Sequence, residues 1–177
     1  MDRLTAIEKT FFLGREFLLW LWFHSETRQE LKIREEEEVE IDLEDRLILE
    51  PYGGGGWKQL LSGEEAAAAP EARFALQMNN LPSELKLRLI KGTLAWSFTL
   101  RWENLQPKGI KIPENRELPF DEQISYRMEM IEILEELVEE LWKKFLEIRT
   151  TSQWLQVLHQ IRLWIEGEWE GEENSQE

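Results

Sequence analysis

Between Leu85 and Trp102 the chain alternates almost without interruption. Leu85, Leu87 and Leu89 are separated by Lys86 and Arg88, and Leu94, Trp96, Phe98, Leu100 and Trp102 by Ala95, Ser97, Thr99 and Arg101. A period of two sends successive side chains to opposite faces of a strand. With Lys91-Gly92-Thr93 turning the chain between the two runs, the pattern predicts an antiparallel ribbon over 84–103. One face is rich in Leu and Trp, the other is polar. Such a ribbon is not stable alone in water, so its apolar face needs a helix or a second sheet over it.

Three segments can supply that cover. Phe11 to His24 is almost continuously apolar, broken by Gly14 and Arg15-Glu16, and its Leu, Phe and Trp residues do not alternate. A short buried helix is expected there. From Asp121 to about Arg149 a helical seam runs through Ile124, Ile131, Leu134, Val138, Leu141, Phe145 and Ile148, widened by Met130, Leu137 and Trp142. A helix of that length spans about 40 Å. Thr150-Thr151-Ser152 starts another, with Trp154, Val157, Leu158, Ile161, Trp164 and Ile165 on one side, and Gly167 stops it.

The remaining elements are shorter. After the run Glu35–Glu38, residues Val39, Ile41 and Leu43 alternate with Glu40, Asp42 and Glu44. A turn at Asp45 and a return through Leu47-Ile48-Leu49 make this a second hairpin. Pro51 and Gly53–Gly56 form a flexible break. A short strand over Trp57–Leu61, a helix over Glu64–Asn79 and a loop carrying Pro107, Gly109, Pro113 and Pro119 complete the series. Hairpins without βαβ crossovers define an α+β protein, with antiparallel β hairpins packed against a Trp-rich N-terminal helix and a long C-terminal helical pair. Residues 1–10 read as a lead-in, 11–167 as a single domain, and 168–177 as an acidic disordered tail.

Composition removes several classes of function. The 177 residues are 42% hydrophobic, which excludes global disorder despite 36 acidic against 21 basic residues and a formal charge of −15. The absence of Cys excludes a disulfide scaffold, a thiolate zinc site and cysteine catalysis. The longest uninterrupted apolar run, Phe17–Phe23, falls far short of the roughly 20 residues that span a bilayer. Met1-Asp2-Arg3 opens no signal peptide, so a cytoplasmic protein without membrane partners is expected.

Catalytic signals are sparse. The two histidines, His24 and His159, lack a carboxylate or second His one helical turn away, and read as packing or surface residues. No G-x-S-x-G elbow occurs. Gly53–Gly56 lacks the Lys-Ser or Lys-Thr of a phosphate loop and reads as a linker. Glu129, Glu132, Glu136 and Glu139 share a helix face that either binds cations or is simply solvated. No catalytic residue, metal site or cofactor is assigned; a metal-dependent nuclease, which needs converging carboxylates, is the enzymatic alternative.

Charge distribution says more than charge total. Lys86, Arg88, Lys91, Arg101, Lys108 and Lys111 face one acid, Glu103, over 86–111, a net +5 against −20 in the rest of the chain. Lys86, Arg88 and Arg101 fall on the polar face of the predicted ribbon, beside the Ser97 and Thr99 hydroxyls. These six residues are the candidate contacts to the phosphates of duplex or single-stranded DNA, a mode that positions without reading sequence. The competing reading is an ordinary solvated face, or one packed against the chain's own carboxylates. Overall acidity works against indiscriminate nucleic-acid binding. Trp57 and Trp102 are candidates for stacking on unpaired bases, with Trp102 also on the core register.

The stretch Phe12-Leu13-Gly14-Arg15-Glu16-Phe17-Leu18-Leu19-Trp20-Leu21-Trp22-Phe23, followed by Ser25-Glu26, resembles a segment of bacterial RdgC-like recombination-associated proteins. The order of Glu71-Ala72-Arg73, a Leu-rich strand, Trp96-Ser97-Phe98-Thr99-Leu100 and a long acidic helix is similar too. The likeness covers about residues 11 to 165 and only the C-terminal half of a typical member. It implies a nucleoid-associated, ring-forming dimer that encircles DNA without sequence preference and takes part in recombination. It carries over no catalytic residue. The expected partners are therefore DNA and either further copies of the chain or a separately encoded N-terminal half. Trp20, Trp22, Trp142, Trp154 and Trp164 are the candidate core and partner interface. The alternative is a structural, protein-interaction subunit of an oligomeric assembly with no DNA contact.

Overall fold

A computed structural model describes residues 3–28, 31–34, 37–51 and 57–169. Helix α1 (Arg3–Thr27) leads into strands β1 (Leu31–Arg34), β2 (Glu37–Pro51) and β3 (Gln59–Ser62). Helix α2 (Pro70–Gln77) precedes β4 (Asn80–Lys91), β5 (Leu94–Arg101) and β6 (Lys108–Lys111), and helices α3 (Phe120–Arg149) and α4 (Gln153–Glu166) follow. The strands form one antiparallel sheet in the order β1-β2-β4-β5-β6, with β3 paired to β2. The α+β class and the helical cover are as the alternation and the helical seams predict.

The predicted ribbon is β4 and β5, in the register Leu85↔Leu100, Leu87↔Phe98 and Leu89↔Trp96. All six of those side chains are buried. They meet α1, whose Phe17 to Phe23 stretch is buried on every side. A helix apolar all round belongs inside a protein rather than at its surface. On its far side Phe17 and Trp20 pack against Phe145 of α3, while Trp22 and Phe23 pack edge-on against Trp164 of α4. The sheet, α1 and the α3–α4 pair thus form successive layers around one core.

Two adjoining residues fix how α1 lies on the sheet. A Cβ on Gly14 would collide with the carbonyl oxygen of Trp102, so the absence of a side chain permits this close approach. Next to it, the buried Arg15 guanidinium bonds the Glu50 carboxylate at 2.7 Å and the Pro51 carbonyl at 3.2 Å. The same cation lies 5.1 Å from the Trp102 ring centroid. Burial disfavours an ionised Glu50, but hydrogen bonding from Lys58 and the charges of Lys58 and Arg15 outweigh it and hold its carboxyl below the usual range.

Several elements differ from the sequence expectation. Residues 3–10 continue α1 rather than forming a loose lead-in, since extending a nucleated helix adds one hydrogen bond per residue. Asp45 is not a turn: β2 runs unbroken through it, with an irregularity between Leu43 and Leu47. Leu43 faces Leu87 and Leu47 faces Leu85, so two extra residues bulge out of β2 and the inward phase of Leu47 and Leu49 is kept. Helix α2 is shorter than Glu64–Asn79 because Pro70 holds Ala69 extended, at φ −60° and ψ 135°. β1 and β6 were not signalled; each is only four residues long and depends on its neighbour. Glu35, Glu36 and the glycines Gly53–Gly56 lie outside the described residues, as does the expected tail beyond Trp169. Trp169 itself packs edge-on against Phe23 at 5.4 Å.

Buried indoles divide into two kinds. Trp96 donates its Nε1–H to the Met130 carbonyl of α3 at 2.9 Å. The Nε1 groups of Trp20, Trp22 and Trp164 have no hydrogen-bond partner among the described residues. Replacing Trp96 by Phe should therefore destabilise the protein by about 1 kcal/mol more than Trp20→Phe, the difference being the hydrogen bond. Urea midpoints of the two variants measure it.

Candidate functional site

All the helices of the core lie on one side of the sheet, so the outward-facing residues of β2, β4, β5 and β6 form an uncovered polar face. Cross-strand register orders it into rows. One row reads Asp42, Arg88, Ser97, Lys111, and the next brings Lys86, Thr99 and Lys108 together. The alternation that predicted the ribbon thus also places the basic candidates on one surface.

That surface is not uniformly basic. The bulge in β2 carries Glu44 and Asp45 over Lys86, whose ammonium lies 2.7 Å from Asp45 and 3.4 Å from Glu44. Glu44 also accepts a 2.6 Å hydrogen bond from Ser97. The bond from Lys86 holds the Asp45 carboxyl below its ordinary value, and in return raises the ammonium of Lys86. Lys91 pairs with Glu37 at 2.7 Å, and Arg101 with Glu84 at 3.1 Å, where Arg46 joins at 3.3 Å. Half of the six candidates are therefore neutralised by the chain's own carboxylates. Arg88, Lys108 and Lys111 have no ion pair among the described residues, and Arg88, Lys108 and Lys111 are exposed. Of the carboxylates that make these pairs only Glu44 belongs to the acidic alternation of β2, and the pairing depends on β2 lying beside β4.

The tryptophans assigned to a partner interface are elsewhere. Trp20, Trp22, Trp154 and Trp164 are buried within the single chain, so they are core and present no surface to a partner. Helices α3 and α4 pack on α1 and cover these aromatic side chains. Only Trp142 of the five is partly exposed. Trp57, by contrast, is 92% exposed, and Trp102 is half-buried. His24 packs between Trp20 and Phe23, and His159 is exposed.

A surface that the periodicity missed lies at the start of α3. Ile124 was expected on the core seam, but burial of this helix begins only at Met130. Phe120, Ile124 and Met128 are 83%, 64% and 59% exposed and fall four residues apart on one helix face. A cleft of about 420 Å³ runs beside them, walled by Ile112 and Pro113, where the Tyr126 hydroxyl donates to the Pro113 carbonyl at 3.1 Å. Sequence could show that these residues are apolar, but not that α3 outruns the body it covers.

No family model, curated protein or solved structure matches this chain. Among the described residues no group of three or more His, Asp or Glu is disposed to hold a metal ion, and Glu129, Glu132, Glu136 and Glu139 form no such group. No helix among them is long and apolar enough to cross a membrane. The outer sheet face offers charge-assisted contacts, and the α3 row offers apolar ones.

The Lys86–Asp45 bond has a direct readout. Because it favours the ionised carboxyl, it is present above the lowered pKa of Asp45 and lost as pH falls through it. In Lys86→Met the Asp45 titration should move up toward the ordinary value of about 3.9. Carboxyl chemical shifts followed by NMR across the acidic range measure the displacement.

Proposed function

We propose that this chain is a non-catalytic subunit of an oligomeric assembly and that it self-associates through the exposed start of α3. The observation that carries this reading is the row Phe120, Ile124 and Met128, left uncovered on a helix whose later turns bury their apolar face, from Met130 to Phe145. Residues spaced by four form a single ridge, and two such ridges interlock when helices cross at about −50°. The row is symmetric about Ile124. A two-fold axis there sets Ile124 on the partner's Ile124 and Phe120 against the partner's Met128. Self-complementarity of this kind is what a closed two-fold contact requires.

Sedimentation velocity across concentration tests it. The wild type should dimerise at micromolar concentration. Each copy carries −15, so raising salt from about 50 to about 200 mM should strengthen the association by screening mutual repulsion. Ile124→Glu with Met128→Glu should weaken it by roughly 30-fold or more, with an unchanged circular dichroism spectrum. A wild type that stays monomeric at high micromolar concentration overturns the proposal.

Contact with a nucleic-acid backbone is the second reading, favoured by Arg88, Lys108 and Lys111 in adjacent rows of an uncovered sheet face. The resemblance to RdgC-like recombination-associated proteins supports it, and a dimer would double the number of cations presented. Three cations meeting phosphates per chain give a logarithmic salt slope of roughly −3 for duplex DNA. Fluorescence anisotropy with labelled duplex should show binding that weakens with salt, opposite in sign to the self-association. Reversing Arg88, Lys108 and Lys111 to Glu should abolish it. An anisotropy that stays flat at the lowest salt eliminates this reading and leaves the first intact.

A further inference from the structure

A second cavity, of about 460 Å³, opens between α1, the segment joining β5 to β6, and the middle of α3. Its walls include two indoles, Trp102 and Trp142, and three carboxylates, Glu103, Glu135 and Glu139. Among the described residues no Lys, Arg or His side chain lines it. Gly14 contributes bare helix backbone, at the point where α1 touches the Trp102 carbonyl. This place belongs neither to the outer sheet face nor to the exposed start of α3.

The lining is unusual in its sign. Two of the carboxylates have cationic neighbours outside the cavity: Arg101 lies 4.0 Å from Glu103, and Lys143 lies 3.0 Å from Glu139. Glu135 has no ion pair among the described residues. Trp102 already accepts one cation, with Arg15 5.1 Å from its ring centroid yet not part of the lining. Trp142 is held in place from behind, stacked on Phe145 at 5.6 Å and edge-on to Phe17 at 5.2 Å. Two indoles therefore border a space whose charged lining residues, among the described residues, are all carboxylates.

Aromatic rings attract a cation through the negative potential of their faces, and most strongly when the cation is weakly hydrated. Carboxylates nearby add a long-range attraction without demanding a hydrogen bond from the ligand. We propose that this cavity binds an alkylated ammonium group, seated between Trp102 and Trp142 and attracted by Glu135 and Glu139. The same head group occurs on free quaternary amines and on methylated lysine side chains. A neutral apolar ligand gains from the indoles but nothing from the carboxylates, and a bare metal cation gains little from the indoles.

The probes are choline and its uncharged isostere 3,3-dimethylbutan-1-ol, titrated into the full chain with the indole N–H signals followed by NMR. Trp102→Phe and Trp142→Phe assign the two reporting signals. Choline should shift both, and the isostere should bind about tenfold more weakly. Glu135→Gln, at an exposed position that leaves the core intact, should weaken choline several-fold and leave the isostere unchanged. A peptide bearing trimethyllysine that binds more tightly than choline points to a protein as the source, whereas tighter binding of choline points to a small molecule. Equal binding of choline and isostere, or millimolar choline that moves neither indole signal, overturns the proposal.

Discussion

A helical stretch with apolar side chains on every side has no face to give to water, and Phe17–Phe23 of α1 obliges the rest of the chain to enclose it. The sheet takes one side and the α3–α4 pair the other, and the large rings of Phe17, Trp20, Trp22 and Phe23 set the spacing between the layers. Sliding of the helix is prevented at Gly14 and Arg15. The first needs the Trp102 carbonyl at its own Cα, and the second needs Glu50 within hydrogen-bond reach. A buried guanidinium that lost its carboxylate would be strongly destabilising, whereas the intact pair serves chiefly to specify the register. That stretch of α1 is also the most distinctive in the sequence.

Because the helices occupy one face, the other face of the sheet is where charge collects. Its net balance depends on which strands are neighbours, not on which residues are adjacent in sequence. The basic surplus over 86–111 looks like a patch when counted along the chain. In three dimensions β2 delivers Glu37, Glu44 and Asp45 onto it, while Lys108 and Lys111 on β6 make no ion pair among the described residues. The sheet face is therefore graded, acidic on β2 and basic toward β6.

Much of the fold was legible because its signals are local and repeated. The Leu85–Leu89 and Leu94–Leu100 alternations map directly onto β4 and β5, and the seam from Leu134 to Phe145 marks the buried face of α3. The misread parts depend on tertiary context. A bulge that preserves parity leaves the same alternation as a turn, so Asp45 could be read either way. Four-residue edge strands such as β1 and β6 owe their structure to the strand beside them. Burial of the tryptophans in α1 and α4 required knowing that α1, α3 and α4 meet. Exposure of Ile124 required knowing where the sheet ends. The cavity between Trp102 and Trp142 was invisible for a similar reason, since its walls come from three segments far apart in sequence, around Gly14, Trp102 and Trp142.

The short last strand has a consequence for behaviour at high concentration. Among the described residues β6 is an edge strand, and an unpaired edge is a template on which further chains can add. Lys108 and Lys111 stand at its two ends, and Gly109 between them adopts φ 60°, which breaks the regular extended backbone. A second sheet docking there would bring four ammonium groups together along a stretch too short and too irregular to reward it. The molecule is thereby discouraged from growing into fibrils along this edge of its sheet.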